Sequence, residues 1–433
     1  MTRGIDSSHL SDLDSYLTDS VDDIAKAGKP MRQSLAQHGA RDKKINGSIL
    51  KSKDKDTVFN FSHKWLETSL KGHTGQVLDI DFSSNGKYLG SCSADRGLML
   101  WHVKDFDKRE IKSVRGNVEL DHATRLKFSP DSKALILCLA NANRVAVYKL
   151  IKKESAGGGI KLQPAENLEF PEEHSRDIIN IGISCTGRFI MTASNDTTMM
   201  VWDLHGNVLK HMDTKQSNIN YACVSPCGRF VASSGFTPDV KVWEVCFNRT
   251  GDFTEVSRAF DLKGHASGVH SFAFNADSTR MVSASKDGTW KLWNTDIRYQ
   301  HGQDAYLLHT GELDLLKTTS ALVAMAPSAS SFAVATKRDL RVYRATDGSL
   351  DEDATISNCH SEFITSVTYS SDSRYIATSG DRHIRIFHNV SGYRDQLARF
   401  EVELRSAGNN QGMKERLQTQ IKDAKLLLSE ILK

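Results

Sequence analysis

The sequence predicts an all-β chain folded as a seven-bladed β-propeller, with a disordered segment before the ring and a helical tail after it. Three observations predict this. Seven times, at spacings of 41 to 55 residues, an apolar residue is followed by a short polar turn and a second apolar run; the anchors are Phe82, Phe128, Ile183, Val224, Phe274, Met325 and Tyr369. About 20 residues after each anchor an aromatic closes another strand, at Trp101, Tyr148, Trp202, Trp243, Trp293, Tyr343 and Phe387. Between these marks apolar and polar residues alternate, the period of a half-buried strand. A repeat near 45 residues built from short strands is how propeller blades recur.

Taken in order, residues 1–62 are polar and unpatterned, with six aspartates from Asp6 to Asp23 and a basic cluster from Arg41 to Lys55. Such a segment buries too little apolar surface to offset an ordering cost of ~1–2 kcal/mol per residue, so it is expected to be disordered. Residues 63–390 are expected to form the ring. In its first repeat 77–82, 88–93 and 98–103 read as strands, with a turn at 94–97 and a fourth, outer strand beyond. Residues 64–70, which include Trp65, are expected to complete the outer edge of the last blade, closing the ring and removing an open sheet edge. Segments 104–117, 152–173, 247–257 and 296–316 read as long loops on the scaffold, where recognition residues tend to sit. Residues 391–433 change to a helical period. Leu397, Phe400 and Leu404 share one face, a break follows at 408–412, and Leu417, Ile421, Ala424, Leu428 and Ile431 form a short heptad stripe. That stripe is read as an antiparallel pair packing on itself or on the ring, with self-association or partner binding as the alternative.

The 433 residues are 39% hydrophobic and 25% charged with a net charge of +3, an ordinary globular balance that points neither to DNA nor to anionic lipid. Seven scattered cysteines form no disulfide framework or metal spacing, and fit a reducing, cytoplasmic setting. No run reaches a membrane-spanning length, and the start lacks a signal-peptide pattern.

One constellation has the residue types of a hydrolase. His73, Ser91, Asp95 and Trp101 recur at the same offsets as His174, Thr192, Asp196, Trp202 and as His265, Ser283, Asp287, Trp293, and again, one residue shorter, as His360, Thr378, Asp381, Phe387. Repetition argues against catalysis, since nucleophilic chemistry needs one site and an oxyanion hole. The expected role is structural: Asp orients His, His bonds the hydroxyl, and the hydroxyl meets the indole N–H. Phe387 lacks that N–H. In the even repeats the histidine position aligns with Glu119, Lys215 and Leu316, so those blades should rely on packing. No phosphate-cradling loop or cofactor motif is present, so no enzyme, cofactor, metal or small-molecule substrate is expected.

The pairs Gly72-His73 and Gly264-His265, each with its Trp, and the single Trp202-Asp203 pair resemble the WD-repeat family over residues 63–390. Runs at 117–124, 224–247 and 285–296, with the helical tail, resemble one group within it. That resemblance implies a non-enzymatic adaptor associated with the endoplasmic reticulum, a stress-response kinase, translational control and selected messenger RNA. Members of that group begin with a hydrophobic anchor that 1–62 here does not contain. In such rings the turns holding the tetrad Asp surround the narrow end of the channel. Arg96, Thr197, Lys337, Arg338 and Arg382 fall there, and the basic ones among them would favour an acidic or phosphorylated partner. The fourth repeat adds Phe236 and Pro238, which the tetrad does not require and which fit an interface anchor. Trp290, three residues before Trp293, is expected to pack between blades. A protein scaffold is the first reading and an RNA-binding propeller the second. The third, a ubiquitin-ligase substrate receptor, usually carries Arg or Lys two residues after the WD pair, where this chain has His205.

Overall fold

The strands begin where side chains alternate between the spaces on either side of a sheet. In Val77–Phe82 the side chains of Val77, Ile80 and Phe82 are buried, and in Tyr88–Ser93 every residue after the first is. The computed structural model describes residues 59–152, 159–166, 168, 170–313, 320–408 and 410–433. It contains seven four-stranded antiparallel sheets. We number these as blades 1 to 7 and letter their strands a (innermost) to d (outermost). Strands a are Val77–Phe82, Ala123–Phe128, Ile178–Ile183, Ile219–Val224, Val269–Phe274, Ala321–Met325 and Ser366–Tyr369. All seven line one central channel.

The ring closes between its two ends. Leu66–Lys71 pairs antiparallel with His383–His388 and is strand d of blade 7. Segments read as long loops are partly sheet. Ser113–Asn117, Ile160–Pro164 and Tyr306–Glu312 are outer strands, and Asp239–Phe247 with Phe253–Lys263 form one long hairpin. On the side facing the blade the outer strands pair their backbone with strand c, which a polar composition does not reveal. Residues 153–158 and 314–319, like the expected disordered segment as far as residue 58, lie outside the described residues.

Neighbouring blades are joined around the channel by polar side chains. A bulge one residue into strand a re-aims Asp79, Arg125, Asn180 and Ser271. The Asp79 carboxylate accepts from Leu126 N–H (3.0 Å), and the Arg125 guanidinium donates to the Ile179 carbonyl (2.8 Å). Asn180 accepts from Ala222 N–H (3.1 Å), Asn220 donates to the Val269 carbonyl (2.8 Å), and Ser271 donates to that of Ala321 (2.8 Å). Thr365 links blade 7 to blade 1, donating to the Val77 carbonyl (2.7 Å). Strand a of blade 6 has only apolar side chains and cannot reach blade 7 in this way.

The helices sit at that junction. Helix α1 (Val390–Ser406) starts directly after the last strand of the ring, and α2 (Gln411–Ile431) folds back on it. Asn389 caps α1 by accepting from Gly392 N–H and also accepts from Ser331 Oγ of blade 6 (2.8 Å). Leu428, Ile431 and Leu432 pack on a core shared by Trp65 and Phe387 of blade 7 with Ala324, Leu340 and Val342 of blade 6. Asp353 of blade 6 accepts from Arg394 of α1 (2.6 and 2.9 Å) and pairs with Lys64 (2.6 Å). The heptad stripe therefore packs within the chain, with Leu417 buried.

Candidate functional site

An antiparallel meander places its b–c turns and its d–a connections at one end of the ring. The four tetrads sit just beneath that end. In blade 1 His73 Nδ1 lies 3.3 Å from Asp95, His73 Nε2 lies 2.8 Å from Ser91 Oγ, and Trp101 Nε1–H donates to the same Oγ (3.1 Å). Blade 5 repeats this, with 2.9 Å from His265 to Asp287, 2.8 Å to Ser283 and 2.9 Å from Trp293 to Ser283. These partners assign the histidine proton to Nδ1, which donates to the carboxylate, while Nε2 accepts from the hydroxyl. Blade 3 inserts a hydroxyl. Thr198 donates to Asp196 and lies 3.0 Å from His174 Nδ1, whose separation from Asp196 is 3.9 Å. His174 Nε2 is 2.7 Å from Thr192, which accepts from Trp202 (2.8 Å).

The electrostatics follow from this burial. It depresses the His73 and His265 rings and holds His174 at about 4, so all three are neutral near pH 7. Burial alone would raise Asp196 and Asp287. Hydrogen bonds from Thr198 and Thr289 respectively, and from the backbone, outweigh it and bring both to about 2.

Blade 7 is wired differently. Arg385, only 2% exposed, reaches His360 Nδ1 (2.5 Å) and Asp381 (3.2 Å). A guanidinium only donates. His360 Nδ1 must therefore accept, and Nε2–H donates to Thr378 Oγ1 (2.9 Å). Thr378 accepts that hydrogen bond, and Phe387 offers it no N–H. The missing indole and the added arginine are thus matched, and the polarity of the chain is reversed. Arg385 also lies 5.4 Å above the ring of Phe61.

Two of the aligned even-blade positions are corrected. In blade 2 Glu119 is exposed, and the neighbouring Asp121 instead accepts from the backbone N–H groups of His122, Asn141 and Ala142 (2.7 to 3.0 Å). In blade 4 Gln216, not Lys215, fills the histidine site; it accepts from Ser233 Oγ (2.5 Å) and donates to the Ser233 carbonyl (3.1 Å). A neutral amide supplies both an acceptor and a donor there, a substitution that a search for histidine overlooks. Leu316 lies outside the described residues. Leu137 and Val334 take the hydroxyl position in blades 2 and 6, both buried.

The turns above this layer carry the rim residues. Arg96, Thr197 and Lys337 have positive φ of 61°, 73° and 51°, the left-handed corner of a tight turn. Arg96, Arg338, Arg382 and Pro238 are exposed, and Phe236 is 65% exposed. Trp290 is buried against Phe332 and Tyr343 of blade 6, with ring centroids 4.8 and 5.0 Å away. Among the described residues no cluster of three His, Cys, Asp or Glu could hold a metal ion, and no helix is long and apolar enough to cross a membrane.

The WD domain, G-beta repeat model matches residues 64–102, 166–203, 257–294 and 353–388, which end on the strands that carry the four tetrads. Transducin beta-like protein 2 of Homo sapiens is 46% identical over 380 residues, spanning 88% of this chain and 84% of its own length. This chain belongs to the transducin beta-like protein 2 family. The Mus musculus protein of that name is 45% identical over 394 residues, 91% of this chain and 87% of its own. Nuclear distribution protein PAC1 of Arthroderma benhamiae is more distant, 24% identical over 253 residues, which is 53% of this chain and 52% of its own length.

WD-repeat propellers generally act as non-enzymatic scaffolds for protein partners. On the rim of this family member, sequence reasoning misses Leu120, Lys286 and Phe363. Leu120 is 92% and Phe363 54% exposed, and Lys286 Nζ lies 5.7 Å from the centroid of the Phe236 ring. For Leu120 and Phe363 the available signal was a large apolar residue within a polar d–a connection.

Proposed function

We propose that this chain is a non-enzymatic adaptor that assembles protein partners on the tetrad end of its ring, in endoplasmic reticulum stress signalling and translational control. The observation that carries this is the fate of the catalytic-looking residues. In blades 1, 3 and 5 each histidine and hydroxyl bonds other members of its own set, leaving no nucleophile presented to solvent. The exposed residues above them include basic and aromatic ones, as at a docking surface. The pathway rests on the family resemblance, which implies a stress-response kinase and translation machinery as partners. The resemblance also implies selected messenger RNA and an association with the endoplasmic reticulum. The test is affinity purification of the full chain from resting and stressed cells with quantitative mass spectrometry, beside the double variant Phe236→Ala, Arg382→Glu. The expected result is a stress-dependent kinase or translation factor held by the wild type and lost from the variant at an unchanged melting temperature. Equal recovery by both would remove the rim from the reading.

A further inference from the structure

Among the described residues the rim carries three apolar side chains that are more than half exposed, and a ring contact or a backbone hydrogen bond ties the turn of each to a neighbouring turn that carries a cation. Phe236 (65% exposed) lies under Lys286, 5.7 Å from Nζ to the ring centroid. Phe363 (54%) precedes Ile364, whose N–H donates to the Lys337 carbonyl (2.6 Å). Leu120 (92%) is two residues from Val118, whose N–H donates to the Arg96 carbonyl (2.9 Å), and it is held at a φ of 60°. A non-glycine residue in that conformation is uncommon, and exposing a leucine there gains nothing for the fold.

The acidic neighbours narrow the ligand. Glu119 precedes Leu120 and Glu362 precedes Phe363, and both glutamates are exposed. Two of the three anchors thus directly follow an exposed carboxylate in the chain, on turns joined to one that carries a cation. A nucleic acid backbone brings one charge at every phosphate and is repelled by such carboxylates. A protein segment can match a mixed pattern residue by residue, its apolar side chains covering the anchors while its acids meet Lys286, Lys337 and Arg96. Aliphatic Leu120 offers no face for base stacking, and the net charge of +3 gives no general pull on RNA.

We infer that the tetrad end binds a protein segment in which apolar residues are flanked by acidic ones, seated on the Phe236–Lys286, Phe363–Lys337 and Leu120–Arg96 couples. This rests on the scaffold reading and adds the partner's chemistry. The probes are a displayed random peptide library, selected on the full chain, and a fluorescein-labelled 20-nucleotide single-stranded RNA. Binding is read by fluorescence anisotropy against wild type, Phe363→Ala, Phe236→Ala and Lys337→Glu, each checked by thermal unfolding. Enriched peptides with Phe, Leu or Trp beside Asp or Glu are expected. Each alanine variant should weaken them at least tenfold, and Lys337→Glu should be partly rescued by a peptide with Lys in place of its acid. Peptides that bind the variants as well as wild type would overturn this inference and leave the scaffold reading standing. Failure to enrich any peptide would count against both. RNA binding that falls steeply with salt and is lost in Lys337→Glu would replace the protein segment by a nucleic acid.

Discussion

Replacing Arg385 by Met tests the reversed wiring of blade 7. Met keeps most of the stem volume and removes the charge. Breaking a buried ion pair costs about 3–5 kcal/mol when the remaining charge has no other partner. Asp381 is not left so bare, because it still accepts from the backbone N–H groups of Ser361 (3.0 Å) and His383 (2.8 Å). His360 Nδ1, 3.2 Å from Asp381, can take up the proton and donate to it as in blades 1 and 5. That returns about 1–2 kcal/mol, for a net loss of roughly 2–3 kcal/mol. Residues 61–433 form the compact unit that must unfold. At about 2.1 cal/mol/K per residue its unfolding entropy approaches 0.8 kcal/mol/K, so the melting temperature should fall by about 3 °C. Calorimetry reads the shift. Long-range nitrogen–proton NMR on histidine-labelled protein reads the tautomer, expected on Nε2 of His360 in the wild type and on Nδ1 in the variant. A wild-type His360 protonated on Nδ1, or a melting temperature unchanged within 1 °C, would refute the assignment.

Gln216→Ala leaves the buried Ser233 hydroxyl without its partner and should cost about 1–2 kcal/mol, seen as a lower denaturant midpoint. Ending the chain after Ala407 removes α2 and its cover over Trp65, which is 0% exposed, so tryptophan emission should shift to the red while the ring stays folded. Asp353→Asn weakens the partly exposed pairs to Lys64 and Arg394, worth about 1 kcal/mol in all; faster hydrogen exchange in α1 and α2, with blades 1–4 unchanged, checks it. Acid should act in two stages. The unfolded chain protonates histidines near 6.5, whereas the folded His174 holds out to about 4, so this stability is full above pH 6.5 and is lost as pH falls toward 4. Asp196 and Asp287, ordinarily near 3.8 and here at about 2, contribute stability present above pH 3.8 and lost on the way to 2. A melting temperature flat from pH 7 to 5 would contradict the first stage.

The ring itself was legible in the sequence because its signals are local. The period, the alternation and the aromatic that ends each strand c all follow from one blade burying its faces against the next. The tetrad offsets were legible for the same reason, since a fixed strand length and a fixed turn put His73 and Ser91, or His265 and Ser283, at one separation. Tertiary structure decided whatever needed a partner distant along the chain. Arg385 looks like one more alternating polar residue until burial brings it onto His360 and Asp381. Gln216 looks like loop polarity until its amide meets Ser233. The heptad stripe of α2 is open to self-association in the sequence, and the apolar side chains on both sides of the blade 6–7 junction claim it. Phe236, Phe363 and Leu120 lie more than a hundred residues apart along the chain. They share a face only because each d–a connection and each b–c turn of an antiparallel blade must emerge at the same end of the ring.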